Sequence, residues 1–111
     1  MTMKIHSKKD GEFNVVEVEG RLDTTNYLEL DQVLSVMLDK GEIKLILDIS
    51  KLEYVSSSGL RIFLMYLKKI KSKQGRFILC NMNAEIKEIF EISGFINIFE
   101  IYDDLDTALK S

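Results

Sequence analysis

Apolar residues along this chain alternate in short runs and then recur at helical spacing, a pattern that predicts strands and helices in turn. Lys4 to Ser7 reads as a short first strand, and Asp10-Gly11 as a hairpin turn. Phe13 to Glu19 is β-branched and partly alternating, so a second strand is expected to end at Gly20. Asn26 with Glu29 three residues on resembles a capping box, with Thr24 and Thr25 as alternative caps. Tyr27, Leu30, Val33, Leu34, Met37 and Leu38 then follow at helical spacing, and Gly41 supplies a helix end. Lys44 to Ile49 is almost wholly apolar after its lysine, as in a strand covered on both faces.

A second helix is expected from near Ser57 to about Lys73, with Leu60, Phe63, Leu64, Leu67 and Ile70 as its core stripe. Gly75 ends it and Arg76 to Asn81 forms the next strand. Asn83 caps a third helix through Ile86, Ile89 and Phe90, stopped at Ser93-Gly94. Ile96 to Tyr102 reads as a last strand, and Asp103-Asp104 opens a short helix through Leu105, Ala108 and Leu109. Strands alternating with helices predict an α/β fold with right-handed crossovers. The expected sheet is mainly parallel, of about four or five strands, with an antiparallel N-terminal edge strand and about four helices. No linker or repeat divides residues 1–111, so one domain is expected.

Charge narrows the functions available. The net charge of -3 comes from 15 basic and 18 acidic residues, well mixed, and no basic stripe suits nucleic acid. No apolar run approaches the ~20 residues of a membrane span and no signal peptide is visible. One cysteine, Cys80, excludes an internal disulfide and fits a small core residue in a reducing cytoplasm. Cytoplasmic location is therefore expected, with no metal and no cofactor. One histidine and one cysteine cannot build a closed metal set. The cluster of Asp103, Asp104 and Asp106 reads as a charged helix start.

Enzymatic chemistry is not expected either. The one histidine, His6, lies on the edge strand, and Ser56-Ser57-Ser58-Gly59 is not a Gly-x-Ser-x-Gly elbow. Phosphate-cradling glycine loops are absent from the sequence. The three serines nevertheless stand where a strand runs into a helix. Hydroxyls there lie beside unpaired main-chain N–H groups and the positive end of the helix dipole, a favourable place for a phosphate. Read without further information, one of the three simply caps the helix, and periodicity does not choose among them.

The whole chain resembles the STAS domains of the bacterial anti-sigma factor antagonist type. Gly20-Arg21-Leu22-Asp23 is similar to the family's Gly-x-Leu/Ile-Asp after the second strand. Leu47-Asp48-Ile49-Ser50, then Tyr54-Val55-Ser56-Ser57-Ser58-Gly59-Leu60, is similar to its Asp-Leu-Ser and Met-Asp-Ser-Ser/Ala-Gly-Leu. Phe90 to Phe95 resembles the late segment. The resemblance implies a partner switch used in stress-response or sporulation transcription. Without phosphate, such a protein binds an anti-sigma factor that is also a serine kinase, and so frees a sigma factor. Phosphorylation ends binding, and a PP2C-type phosphatase resets the switch. By position the acceptor is Ser58, with Ser57 as the alternative. The family commonly carries Asp where this chain has Ser56.

The rim expected to meet the partner comprises Asp23, Ser56, Ser57, Gly59 and Arg61. Ile62 and Met65 join it, because they fall outside the stripe centred on Leu60, Phe63, Leu67 and Ile70. On that reading a charge at Ile62 or Met65 weakens partner binding and leaves stability nearly unchanged. Asp23 is expected at the C-terminal edge of the second strand, either beside Ser58 or simply capping the first helix. Asp48, Ser50 and Tyr54 either touch a partner or finish the strand and turn. Monomer or weak dimer is expected from the open hairpin edge. Two other readings compete: a STAS signalling or scaffold module with a different protein partner, and a module binding a small ligand or nucleotide at the same rim.

Overall fold

A computed structural model describes residues 3–111. The chain runs β1 (Lys4–Asp10), β2 (Phe13–Leu22), α1 (Tyr27–Asp39), β3 (Lys44–Asp48), β4 (Leu52–Val55), α2 (Ser57–Ser72), β5 (Arg76–Cys80), α3 (Ala84–Ser93), β6 (Glu100–Tyr102) and α4 (Leu105–Leu109). The sheet order is β1-β2-β3-β5-β6, with β4 paired to β2. Among the described residues only the β1–β2 hairpin is antiparallel, from Lys4 opposite Glu19 to Asp10 opposite Phe13. All other pairings are parallel. The expected mixed α/β architecture is present, with six strands among the described residues where four or five were expected.

The extra strand arises because β2 changes neighbours along its length. Asn14 to Glu17 pair with Leu45 to Asp48, whereas Gly20 to Leu22 pair with Leu52 to Val55. The register shifts between Gly20 and Arg21, and Gly20 has φ 98°, a conformation open mainly to glycine. β2 therefore runs two residues beyond Gly20, and its end is delivered to the start of α2.

The sheet has two unlike faces. α1, α2 and α3 cover one, burying Val16, Val18, Leu45, Leu47, Leu79, Phe63 and Phe90 among others. The short α4 covers part of the second, over Phe13, Val15, Ile46, Ile78 and Cys80. Leu45, Ile46 and Leu47 are all sealed, which accounts for the unbroken apolar run of β3. Cys80 is buried, and burial pushes its thiol up to about 12, so it is an inert core residue.

The last strand is shorter than expected. Gly94 closes α3 in the left-handed region at φ 80°, and Phe95–Asn97 forms a 3₁₀ turn. That turn brings Phe95 and Phe99 against Phe90, with ring centroids 6.3 and 5.7 Å away. Aromatic packing thus outweighs the β-propensity of Ile96 and Ile98, and pairing begins only at Glu100. Asn83 and Asp104 do cap their helices, accepting from Ile86 N–H at 2.9 Å and Thr107 N–H at 2.8 Å. Among the described residues no helix is long and apolar enough to cross a membrane.

Candidate functional site

The three serines resolve into three roles at the start of α2. Ser56 is the cap: its Oγ accepts from Gly59 N–H at 3.3 Å and its carbonyl accepts from Leu60 N–H at 2.9 Å. Its own N–H donates to Leu22 O at 2.9 Å, which ties the helix start to the end of β2. Ser57 is the first helical residue and exposed; Ser58 is the second and partly open to solvent. At these two positions the main-chain N–H groups have no carbonyl one turn back to accept them. No acidic side chain lies in the first turn of α2 itself. Replacing Ser56 by alanine is expected to cost about 0.5–1 kcal/mol, the low side of cap losses, because the bond is long. Urea unfolding of the Ser56→Ala variant measures it, and an unchanged midpoint would mean that the cap contributes nothing.

Asp23 follows β2 directly and therefore lies next to this helix start. Its main-chain carbonyl accepts from Asn26 and Tyr27 N–H at 3.2 and 3.0 Å. Its carboxylate accepts from the Thr25 hydroxyl at 2.6 Å and the Thr25 N–H at 2.9 Å. These two bonds, the hydroxyl first, hold the Asp23 carboxyl below the usual aspartate range. It is a formed, partly exposed anion on the rim. Asn26 does not make the capping box. It turns backward, accepting from Asp23 N–H at 2.9 Å and donating to Arg21 O at 2.7 Å, and so pins the loop that carries Asp23.

Of the other rim residues, Arg61 is exposed and Met65 is half-buried against the main core. Ile62 departs from expectation: it is 5% exposed and belongs to the core cluster. The buried face of α2 is Gly59, Ile62, Phe63, Tyr66, Leu67 and Ile70, turned from the expected stripe toward Ile62 and Tyr66. Tyr66 causes the turn. Its hydroxyl donates to the Asp31 carboxylate at 2.5 Å and the Asp31 carbonyl at 2.9 Å, locking α2 onto α1. Gly59 is likewise buried and offers no contact surface. A Cβ there would lie 2.7 Å from Val55 Cγ2 and 2.8 Å from Leu22 Cγ, so glycine lets the helix start settle on the ends of β2 and β4.

Tyr54, expected either to touch a partner or to finish the strand and turn, is joined by Arg21. The Arg21 guanidinium stacks 4.4 Å above the Tyr54 ring, across the β2–β4 pairing. Tyr54 is 37% exposed, so the pair presents a flat, cationic aromatic surface. Leu52, Glu53, Tyr54 and Val55 do not alternate, their two buried residues standing three apart, so the sequence carried no signal for β4 or for this pair. Asp48 is a tie rather than part of the rim: its Oδ1 accepts from Ser50 N–H and Asn81 Nδ2, each at 3.1 Å. Among the described residues no group of three or more His, Cys, Asp or Glu side chains could hold a metal ion.

Comparison with known proteins matches this arrangement to one family. The STAS domain model matches residues 4–108. A protein of Bordetella bronchiseptica named as an anti-sigma factor antagonist, BtrV, is 34% identical over 106 residues, covering 96% of this chain and 91% of that protein. The anti-sigma-B factor antagonist of Staphylococcus aureus is 26% identical, covering 91% and 94% of the two chains. The crystal structure of an anti-sigma factor antagonist from Mycobacterium paratuberculosis superposes with a TM-score of 0.89 at 23% identity, over 98% of this chain and 92% of that one. With its helix-starting serines set between the ends of β2 and β4, and with these relatives, the chain belongs to the STAS domain family.

Proposed function

We propose that this protein is a phosphorylation-switched anti-sigma factor antagonist. Unmodified, it binds an anti-sigma factor with serine kinase activity and releases a sigma factor. Phosphorylated on Ser58, it lets go, and a PP2C-type phosphatase restores it. It acts by binding, in the cytoplasm, and performs no chemistry of its own. The family and the names of its relatives support this reading.

One observation carries it. Ser56 takes the cap, so the Ser58 hydroxyl is not spent on the helix and stands partly open at the second position. A phosphate there adds about -1.5 to -2 charges and three acceptor oxygens beside unpaired N–H groups. The partner-facing rim then comprises Asp23, Ser56, Ser57 and Arg61, together with the Arg21–Tyr54 stack.

Incubation with the kinase-type anti-sigma factor and ATP, followed by intact-mass measurement, tests the assignment. One phosphate is expected on the wild type and on Ser57→Ala, and none on Ser58→Ala. Full modification of Ser58→Ala would move the acceptor to Ser57, and no modification of the wild type would remove the switch altogether.

A further inference from the structure

Arg61 stands one turn after Ser58 on α2, exposed beside a serine that is itself partly open to solvent. Side chains at this spacing are neighbours on a helix surface, with Cβ atoms about 5–6 Å apart. A long helical side chain also leans toward the helix N-terminus, so it covers the turn before its own Cα. The Arg61 guanidinium therefore ranges over the surface that carries the Ser58 hydroxyl.

This cation is uncommitted. Among the described residues Arg61 makes no ion pair and lies over no aromatic ring. Its competitors are engaged or distant. Arg21 lies on the Tyr54 ring, Lys51 pairs with Glu17 at 3.6 Å, and Lys69 lies 5.1 Å from the centre of the Tyr66 ring. Lys68, the next cation along α2, is about 15 Å beyond Ser58 on the helix axis.

The anions nearby are accounted for as well. On α1, Asp31 is taken by the Tyr66 hydroxyl, and Glu29 stands about 200° around that helix from it, turned away from α2. Asp23 is the acid of the rim, and its carboxylate is held by Thr25.

We propose that Arg61 receives the phosphate of Ser58, its guanidinium bonding two phosphate oxygens side by side. The pairing rests on the assignment of Ser58 as the acceptor. Modification then changes the rim twice over: it adds a group of nearly two negative charges, and it withdraws the Arg61 cation from any partner. Before modification Arg61 offsets Asp23. Afterwards the rim is net negative even with the pair formed.

The test places phosphoserine at position 58 of the full chain during translation, so that no kinase has to recognise the variants. Phosphorus NMR across pH reads the second ionisation of the phosphate, which lies at about 6 in an unperturbed phosphoserine. A facing cation favours the dianion, so the wild type should titrate below that value. Arg61→Ala should raise the ionisation by roughly half a pH unit or more relative to the wild type. Arg61→Lys should recover part of the difference, since it keeps the charge and loses the planar fork. Both variants keep the helix start, so the difference belongs to the guanidinium and not to the dipole. The Arg61 Nε–H resonance should also move when Ser58 carries phosphate. The pairing is overturned by equal ionisation in the wild type and Arg61→Ala, or by an Arg61 Nε–H signal that modification leaves in place. Either result leaves Ser58 standing as the acceptor, because that assignment fails separately, by absence of the mass gain on incubation with the kinase.

Discussion

Changing Ile62 to glutamate is expected to cost about 4 kcal/mol or more, a large share of the ~5–15 kcal/mol that holds a whole domain folded. Two losses combine. Removing the isoleucine branches opens a cavity among Phe63, Tyr66 and the neighbouring core, and truncation of a buried isoleucine costs about 2–5 kcal/mol by itself. The carboxylate then enters a site that is 5% exposed, where it either remains charged at high cost or takes up a proton. Urea unfolding of Ile62→Ala, Ile62→Glu and Arg61→Ala separates these contributions. Arg61, exposed one residue away, should stay within about 0.5 kcal/mol of the wild type. If Ile62→Glu is as stable as Arg61→Ala and loses only its partner, then Ile62 belongs to the interface after all.

Ile62 also shows where the sequence stops being readable. The periodicity of α2 was legible, and so was its start, because both depend on residues within a turn or two of each other. The direction in which the helix is turned depends on α1, 35 residues away along the chain, through the Tyr66–Asp31 bond. A tyrosine read by composition sits at a boundary. Here burial and the Asp31 carboxylate push its ionisation upward, leaving a neutral donor sealed in the core. β4 was illegible for a similar reason: four residues become a strand only because the shift at Gly20 frees the end of β2 to pair with them. Asn26 had the right spacing for a capping box, but the nearby Arg21 carbonyl and Asp23 N–H claimed both ends of its amide. By contrast the caps at Asn83 and Asp104, the left-handed Gly94 and the covered strand β3 were readable, since each is specified by its own few residues. The serine turn falls between the two cases. Its place was visible, but which serine caps was decided by the Ser56 N–H bond to Leu22.

Phosphorylation of Ser58 is expected to weaken binding to the anti-sigma factor by roughly a hundredfold or more, while the melting temperature stays level or rises slightly. The two effects part because the phosphate acts on different surroundings. Inside the domain it meets the unpaired N–H groups of the first turn of α2, which carries no acidic side chain of its own, so the helix start accepts it. At the interface it must lose water against whatever covers the helix start, with the Asp23 anion already present on the same rim. Ser58→Glu should reproduce part of the loss, since it brings about one charge instead of nearly two and fewer acceptor oxygens. Ser58→Ala should bind like the unmodified protein. Calorimetric titration of the three forms against the anti-sigma factor, with their thermal melts, measures both quantities. Ser56→Asp gives an internal control. A carboxylate at the cap adds a negative charge close to the phosphate, so the melting temperature of this variant should fall on phosphorylation where that of the wild type does not. A fall in affinity accompanied by an equal drop in melting temperature for the wild type would place the switch in the fold, not in the docking surface.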